Sequence, residues 1–199
     1  MAAYRSANRL FEGCHLPLVA IGMEYQRTNN QPLAAQFFMR ALALCDTDPL
    51  VYNELGVLHY RDNNFAAAEE AFVRALSLVP AAQSAAWEST ASNLGHALRK
   101  QCRYAEAAQL YERSLALAPR CAATHAALGF TRHLQGKYMA AVEHYHKALG
   151  IRPDDVLTGE MLTIALAEEG LSFRPGQLDA PGAAAGGTST PCTSAPMEA

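Results

Sequence analysis

Residues 93–119 read NLGHALRKQCRYAEAAQLYERSLALAP, and nearly the same order of small, bulky and charged residues returns at 127–153 as ALGFTRHLQGKYMAAVEHYHKALGIRP. An earlier copy, ELGVLHYRDNNFAAAEEAFVRALSLVP, occupies 54–80. Gly22, Gly56, Gly95 and Gly129 each follow an apolar residue and are spaced by 34, 39 and 34 positions. Twelve residues after each glycine stands an alanine (Ala34, Ala68, Ala107, Ala141), and four further on an aromatic (Phe38, Phe72, Tyr111, Tyr145). Three beyond that comes another small residue: Ala41, Ala75, Ser114 or Ala148. A fixed period of this length, with the small residues at constant offsets, predicts helix–turn–helix units whose backbones cross too closely for long side chains. Each unit then exposes an apolar face that only the next one covers.

The turns fall where that reading needs them. RTNNQP, RDNNF, KQCRY and LQGKY separate the paired helices, and Asp48 before Pro49 predicts an N-cap followed by an N1 proline. The expected units are 15–48, 49–82, 88–121 and 122–155. Between the second and third lie five extra residues in AAQSAAWEST, expected as a lengthened turn on one edge. Counting back one period from Phe38 and Ala41 gives Tyr4 and Ala7, so residues 1–14 read as the second helix of a repeat without its first. Residues 156–169 read as a closing helix, N-capped by Asp154 or Asp155. The stretch 170–199, rich in Gly, Ala, Ser, Thr and Pro, reads as a disordered tail; Thr190 before Pro191 is its one candidate phosphorylation site.

Composition narrows the function classes. Half of the 199 residues are apolar, enough for a sizeable core, and a net charge of −3 without any long basic run offers no footprint for nucleic acid. No apolar run approaches a membrane span. Five scattered cysteines, an odd number with no CxxC pair, favour reduced thiols in the cytosol or nucleus.

No catalytic motif is present: GxSxG, GxxxxGK and HExxH are all missing. Cys121 and His125, four apart on one helix face, are two ligands where a structural zinc site needs about four. His144 and His146 point to different faces and are expected on a solvated surface. No cofactor or metal is expected. The remaining candidate surface is the inner face of the first helix of each unit. There Asn53, His96, Arg99 and Phe130 are the candidate contacts for a peptide, and Arg27, Arg61 and Lys100 occupy equivalent positions that make either a modest basic stripe or an ordinary charged edge. Gly22, Gly56, Gly95 and Gly129, with Ala34, Ala68, Ala107 and Ala141, are the structural positions at the helix crossings.

The Leu-Gly, Ala, aromatic, Ala and Pro pattern resembles the tetratricopeptide-repeat (TPR) family over residues 15 to about 153. The resemblance implies an all-α solenoid of antiparallel helix pairs in a right-handed superhelix. In co-chaperones of this family, lysines and asparagines at fixed first-helix positions clamp a terminal carboxylate; the equivalent positions here are mostly Val, Ala, Leu, Met and Ser. Several stretches, GCHLPLVAIGMEYQRTNN, LAAQFFMRALAL and AVEHYHKALGIRPDD among them, are similar to the C-terminal repeats of the Cdc sixteen, or subunit six, family of the anaphase-promoting complex. That resemblance implies a non-catalytic scaffold in a nuclear and cytoplasmic, spindle-associated ubiquitin ligase that marks mitotic regulators for degradation. It implies as partners the other subunits of the complex, including a small one whose extended N-terminal segment lies in the groove. Family members dimerise through N-terminal repeats that precede the matched part, which leaves homodimerisation of this chain in doubt. A fragment, a short isoform or a truncated gene model each fit such a start. The alternative is a generic adaptor recruiting partners to another multiprotein machine.

Overall fold

The structure, a computed structural model, describes residues 2–11, 13–80 and 86–172. Ten α-helices follow one another among them: α1 (Ala2–Leu10), α2 (Leu16–Arg27), α3 (Gln31–Leu44), α4 (Pro49–Arg61), α5 (Phe65–Leu78), α6 (Glu88–Lys100), α7 (Tyr104–Leu117), α8 (Ala122–Leu134), α9 (Tyr138–Ile151) and α10 (Val156–Ser172). The final helix runs past the expected end at 169, since Gly170 costs only about 1 kcal/mol in a helix. Residues 81–85 of the insertion and everything from 173, Thr190 included, lie outside the described residues.

Every helix packs mainly on its neighbours in sequence. The even-numbered helices also touch in a row, α2 on α4, α4 on α6, α6 on α8 and α8 on α10, while the odd-numbered ones approach each other less closely. The even row is therefore the inner, concave layer of the solenoid.

The periodic positions make the seam of each pair. Phe38, Phe72, Tyr111 and Tyr145 are buried to 1% exposure or less, as are the alanines and Ser114 that flank them. Each ring lies against the glycine sixteen residues earlier. A Cβ on Gly22 would stand 2.5 Å from Phe38 Cε1, and one on Gly95 would stand 2.7 Å from Tyr111 Cε1, closer than carbon atoms approach. The glycine is thus the seat of its own repeat's aromatic ring, and only at Gly129 does the alanine backbone, Ala141 O at 3.2 Å, share that space.

The turns inside the four pairs are the same structure built from different residues. Asn29, Asn63, Cys102 and Gly136 sit one repeat apart, with φ of 58°, 57°, 62° and 72°. After each, a backbone N–H returns to the helix: Asn30 to Tyr25 O, Asn64 to His59 O, Arg103 to Leu98 O and Lys137 to Arg132 O, at 2.8–3.0 Å. That is the left-handed C-terminal motif that satisfies orphan helix carbonyls. Asn30 and Asn64 then cap the next helix through their side chains, accepting from Leu33 N and Ala67 N, and Asp48 and Asp155 do so for α4 and α10. Cys14, Cys45 and Cys121 are free thiols. Cys102 stands at a turn tip.

The third pair, which follows the insertion, is tied in by polar groups. The Glu88 carboxylate accepts from Ser114 Oγ and, at 3.3 Å, from Thr124 Oγ1, linking the start of α6 to α7 and α8. Ser114 stands where the other pairs have alanine, and this bond satisfies its buried hydroxyl. Arg103 donates to Glu69 on α5 at 2.7 and 2.8 Å and to Glu106 at 2.6 and 2.7 Å.

Candidate peptide-binding groove

The inner row of helices presents the sequence candidates in two distinct states. Toward the N-terminal end most polar groups bond one another, with the buried Gln26 Oε1 left unpartnered. Asn53 on α4 donates to Glu54 Oε1 at 3.0 Å and accepts from Thr90 Oγ1 on α6 at 2.9 Å. Burial raises the Glu54 carboxyl above its ordinary range, against the lowering influence of the Asn53 bond and the Arg61 charge. Arg61 reaches back to Gln26 O at 3.4 Å, and the exposed Arg27 pairs with Glu24 at 3.0 Å. Arg27, Arg61 and the half-buried Lys100 share no partner and line no common cleft. Asn53 thus bridges two helices, in place of a free hand for a peptide backbone.

Farther along, α6, α8 and α10 enclose a cleft of about 190 Å³ whose lining includes His96, Arg99, Ala126, Phe130, Tyr145 and Met161. The repeat register brings His96, Arg99 and Phe130 together here and leaves Asn53 outside. The Arg99 guanidinium lies over the Phe130 ring, 4.9 Å from its centroid, a cation–π contact that holds both side chains against the groove wall. Tyr111 Oη and His96 Nδ1 are 2.8 Å apart. His96 is held neutral, its pKa lowered to about 4 by burial and then by the Arg99 charge.

Two buried donors in this lining have no partner, Arg99 Nε and Tyr145 Oη. Burial raises the Tyr145 phenol above its ordinary range, so it stays protonated. The repeat pattern assigned Tyr111 and Tyr145 alike to core packing, and both rings do pack there. The difference lies in the residue after the glycine. Tyr111 meets His96 in its own repeat, whereas the equivalent partner of Tyr145 is Phe130, which has no hydrogen-bonding atom. Tyrosine paired with histidine in one repeat and with phenylalanine in the next is a signal legible in the sequence. What the cleft offers is hydrogen-bond donors beside apolar surface, the chemistry of recognition.

The metal candidates are not brought together. Cys121 Sγ accepts from Thr124 Oγ1 at 3.2 Å, and His125 turns away to His144, Nδ1 to Nδ1 at 3.3 Å with the rings stacked. His125 Nε2 faces Pro119 O at 3.1 Å and must donate to it, so its Nδ1 accepts from His144 Nδ1–H. His144 is consequently half-buried and paired across α8 and α9, a correction to its expected place on a solvated surface. Its pKa is lowered to about 4 by burial and by the Lys147, His125 and Arg132 charges. Among the described residues no three His, Cys, Asp or Glu side chains converge on a metal position, and no helix is long and apolar enough to cross a membrane.

Comparison with known proteins meets this geometry at the level of the repeat. Tetratricopeptide-repeat profiles match residues 49–82 and 84–154, between them more than half of the chain. The chain belongs to the tetratricopeptide-repeat family. Among TPR relatives, anaphase-promoting complex subunit 6 of Arabidopsis thaliana is 50% identical over 169 residues, 85% of this chain and 31% of that protein. The human cell division cycle protein 16 homolog is 41% identical over 166 residues, 81% of this chain and 27% of that protein. A crystal structure titled as the APC/C hetero-tetramer Cut9–Hcn1 superposes with a TM-score of 0.79 at 34% identity, over 83% of this chain and 32% of that one. The TPR chain described here thus spans about a third or less of the length of these relatives.

Proposed function

We propose that this chain is a non-catalytic scaffold of an anaphase-promoting complex, the ubiquitin ligase that marks mitotic regulators for degradation, and that its concave groove holds the extended N-terminal segment of a small partner subunit. The observation that carries the reading is identity of up to 50% with subunit-six proteins, running across 85% of this chain. The cleft between α6, α8 and α10 supports the second half of it, because buried donors without partners stand beside a half-buried aromatic–guanidinium pair. Ligase chemistry falls to other subunits, and the chain works in nucleus and cytoplasm.

A tagged copy expressed in dividing cells, purified and read by mass spectrometry, tests this. Recovery of several subunits of the complex is the expected result. Recovery of chaperones or of an unrelated machine, without ligase subunits, overturns it in favour of a generic adaptor. For the groove, the expected result is that Phe130→Ala stays folded and loses the small subunit while keeping the larger ones.

A further inference from the structure

The cleft between α6, α8 and α10 collects donors and lacks free acceptors. Arg99 brings a full charge with Nε unpartnered, Tyr145 is 1% exposed with its hydroxyl unpartnered, and the His96 ring lines the same cleft. The carboxylate in the same lining, Asp155, is already committed: Oδ1 accepts from Thr158 N at 3.2 Å at the head of α10, and Oδ2 faces Arg152 at 3.4 Å. No carboxylate among the described residues forms an ion pair with Arg99. An unpartnered buried donor costs about 1–3 kcal/mol, so two on one cleft beside a guanidinium charge call for an oxygen-rich group from outside.

We infer that this cleft is a subsite for an acidic side chain of a bound peptide, its carboxylate received by Arg99 and Tyr145 while a neighbouring apolar side chain lies against Phe130 and Met161. Charge favours the carboxylate over a main-chain carbonyl. A carbonyl satisfies donors and leaves the guanidinium without a counter-ion, whereas a carboxylate brings two oxygens with about four acceptor sites and makes charge-assisted bonds. A basic side chain would face the Arg99 charge and is disfavoured. The alanine floor, Ala126 among it, leaves room for the peptide backbone to descend. The inference rests on the groove reading above and adds the chemical class of residue that the groove selects.

The test uses the full chain and three nine-residue peptides that differ only at the centre, where Glu, Gln or Lys stands between two leucines. Binding is followed by NMR shifts of the groove residues with peptide up to millimolar concentration. The Glu peptide is expected to bind about tenfold more tightly than the Gln peptide, a gap that narrows as salt rises, and the Lys peptide least. Tyr145→Phe, which keeps the ring in its seat, is expected to weaken the Glu peptide several-fold at unchanged melting temperature. Arg99→Gln removes the preference for Glu. Equal binding of the Glu and Gln peptides, both abolished by Phe130→Ala, overturns the acidic subsite and leaves the groove reading standing. Binding of none of the three, with the small subunit captured equally by wild type and Phe130→Ala, overturns both.

Discussion

The two ends of the groove are made of the same repeat and present opposite surfaces. Along α2 and α4 Asn53 bonds Glu54 and Thr90 and Arg61 bonds the Gln26 main chain, and what stays open there is a buried acceptor, Gln26 Oε1. Along α6 to α10 the donors of Arg99 and Tyr145 remain open. The repeat register decides which residues face inward at both ends, but not whether they are already spent. A closed polar set stiffens the array, and an open one is available to a ligand.

The largest effects should be blind to this difference, because the seam is common to both ends. Phe38→Ala and Tyr111→Ala should each cost about 3–5 kcal/mol in chemical denaturation. If one is mild and the other severe, the repeats do not share a single packing solution. Next come the ring seats. Gly22→Ala and Gly95→Ala each gain about 1 kcal/mol of helix propensity but force a ring to move by several tenths of an ångström, for an overpacking cost of about 1–3 kcal/mol. Net destabilisation at both ends is expected, read as lower denaturation midpoints, and a net gain at either site would show a seam soft enough to absorb the carbon.

Smaller changes should separate the two ends. Asn53→Ala strands the buried Thr90 hydroxyl and removes a bond to Glu54, for a loss of about 1–3 kcal/mol in stability, with peptide binding at the α6–α10 cleft unchanged by calorimetry. A binding loss without a stability loss would place Asn53 in contact with ligand after all. A loss on acidification should also be concentrated at one end. His96 and His144 both have pKa values lowered to about 4, against about 6.5 in the unfolded chain. Between those values the unfolded state binds more protons, so the stability they contribute is complete above about pH 6.5 and drains away as pH falls toward 4. Hydrogen exchange at pH 5 should therefore loosen α6–α9 before α2–α5, and His144→Gln should flatten the acid limb of the stability curve. Uniform loosening would assign the acid response to groups spread along the array.

How far the sequence is legible follows the same division. The helix pairs, their turns and the aromatic seats are readable because they depend on offsets within one repeat: Gly95 and Tyr111, Asn63 and Asn64. The links that tie repeats together, such as Glu88 to Ser114 and Thr124 or Arg103 to Glu69, depend on which rotamers two different repeats bring together, and no period encodes that. His144 shows the limit most plainly. Its spacing from His146 says only that the two occupy different faces of α9, and the neighbour that buries it, His125, belongs to α8. At the cleft, the open hydroxyl of Tyr145 was readable in principle from Phe130 standing where the previous repeat has His96.

The bond between His125 and His144 also makes the last helix pair its own reporter. An imidazole proton clamped between two ring nitrogens resonates far from the crowded amide region and survives exchange only while α8 and α9 remain closed on each other. That single line should be visible at neutral pH in an otherwise unlabelled sample. Its disappearance on warming or acidification would time the opening of one helical hairpin, without any probe being attached and before the rest of the array gives way.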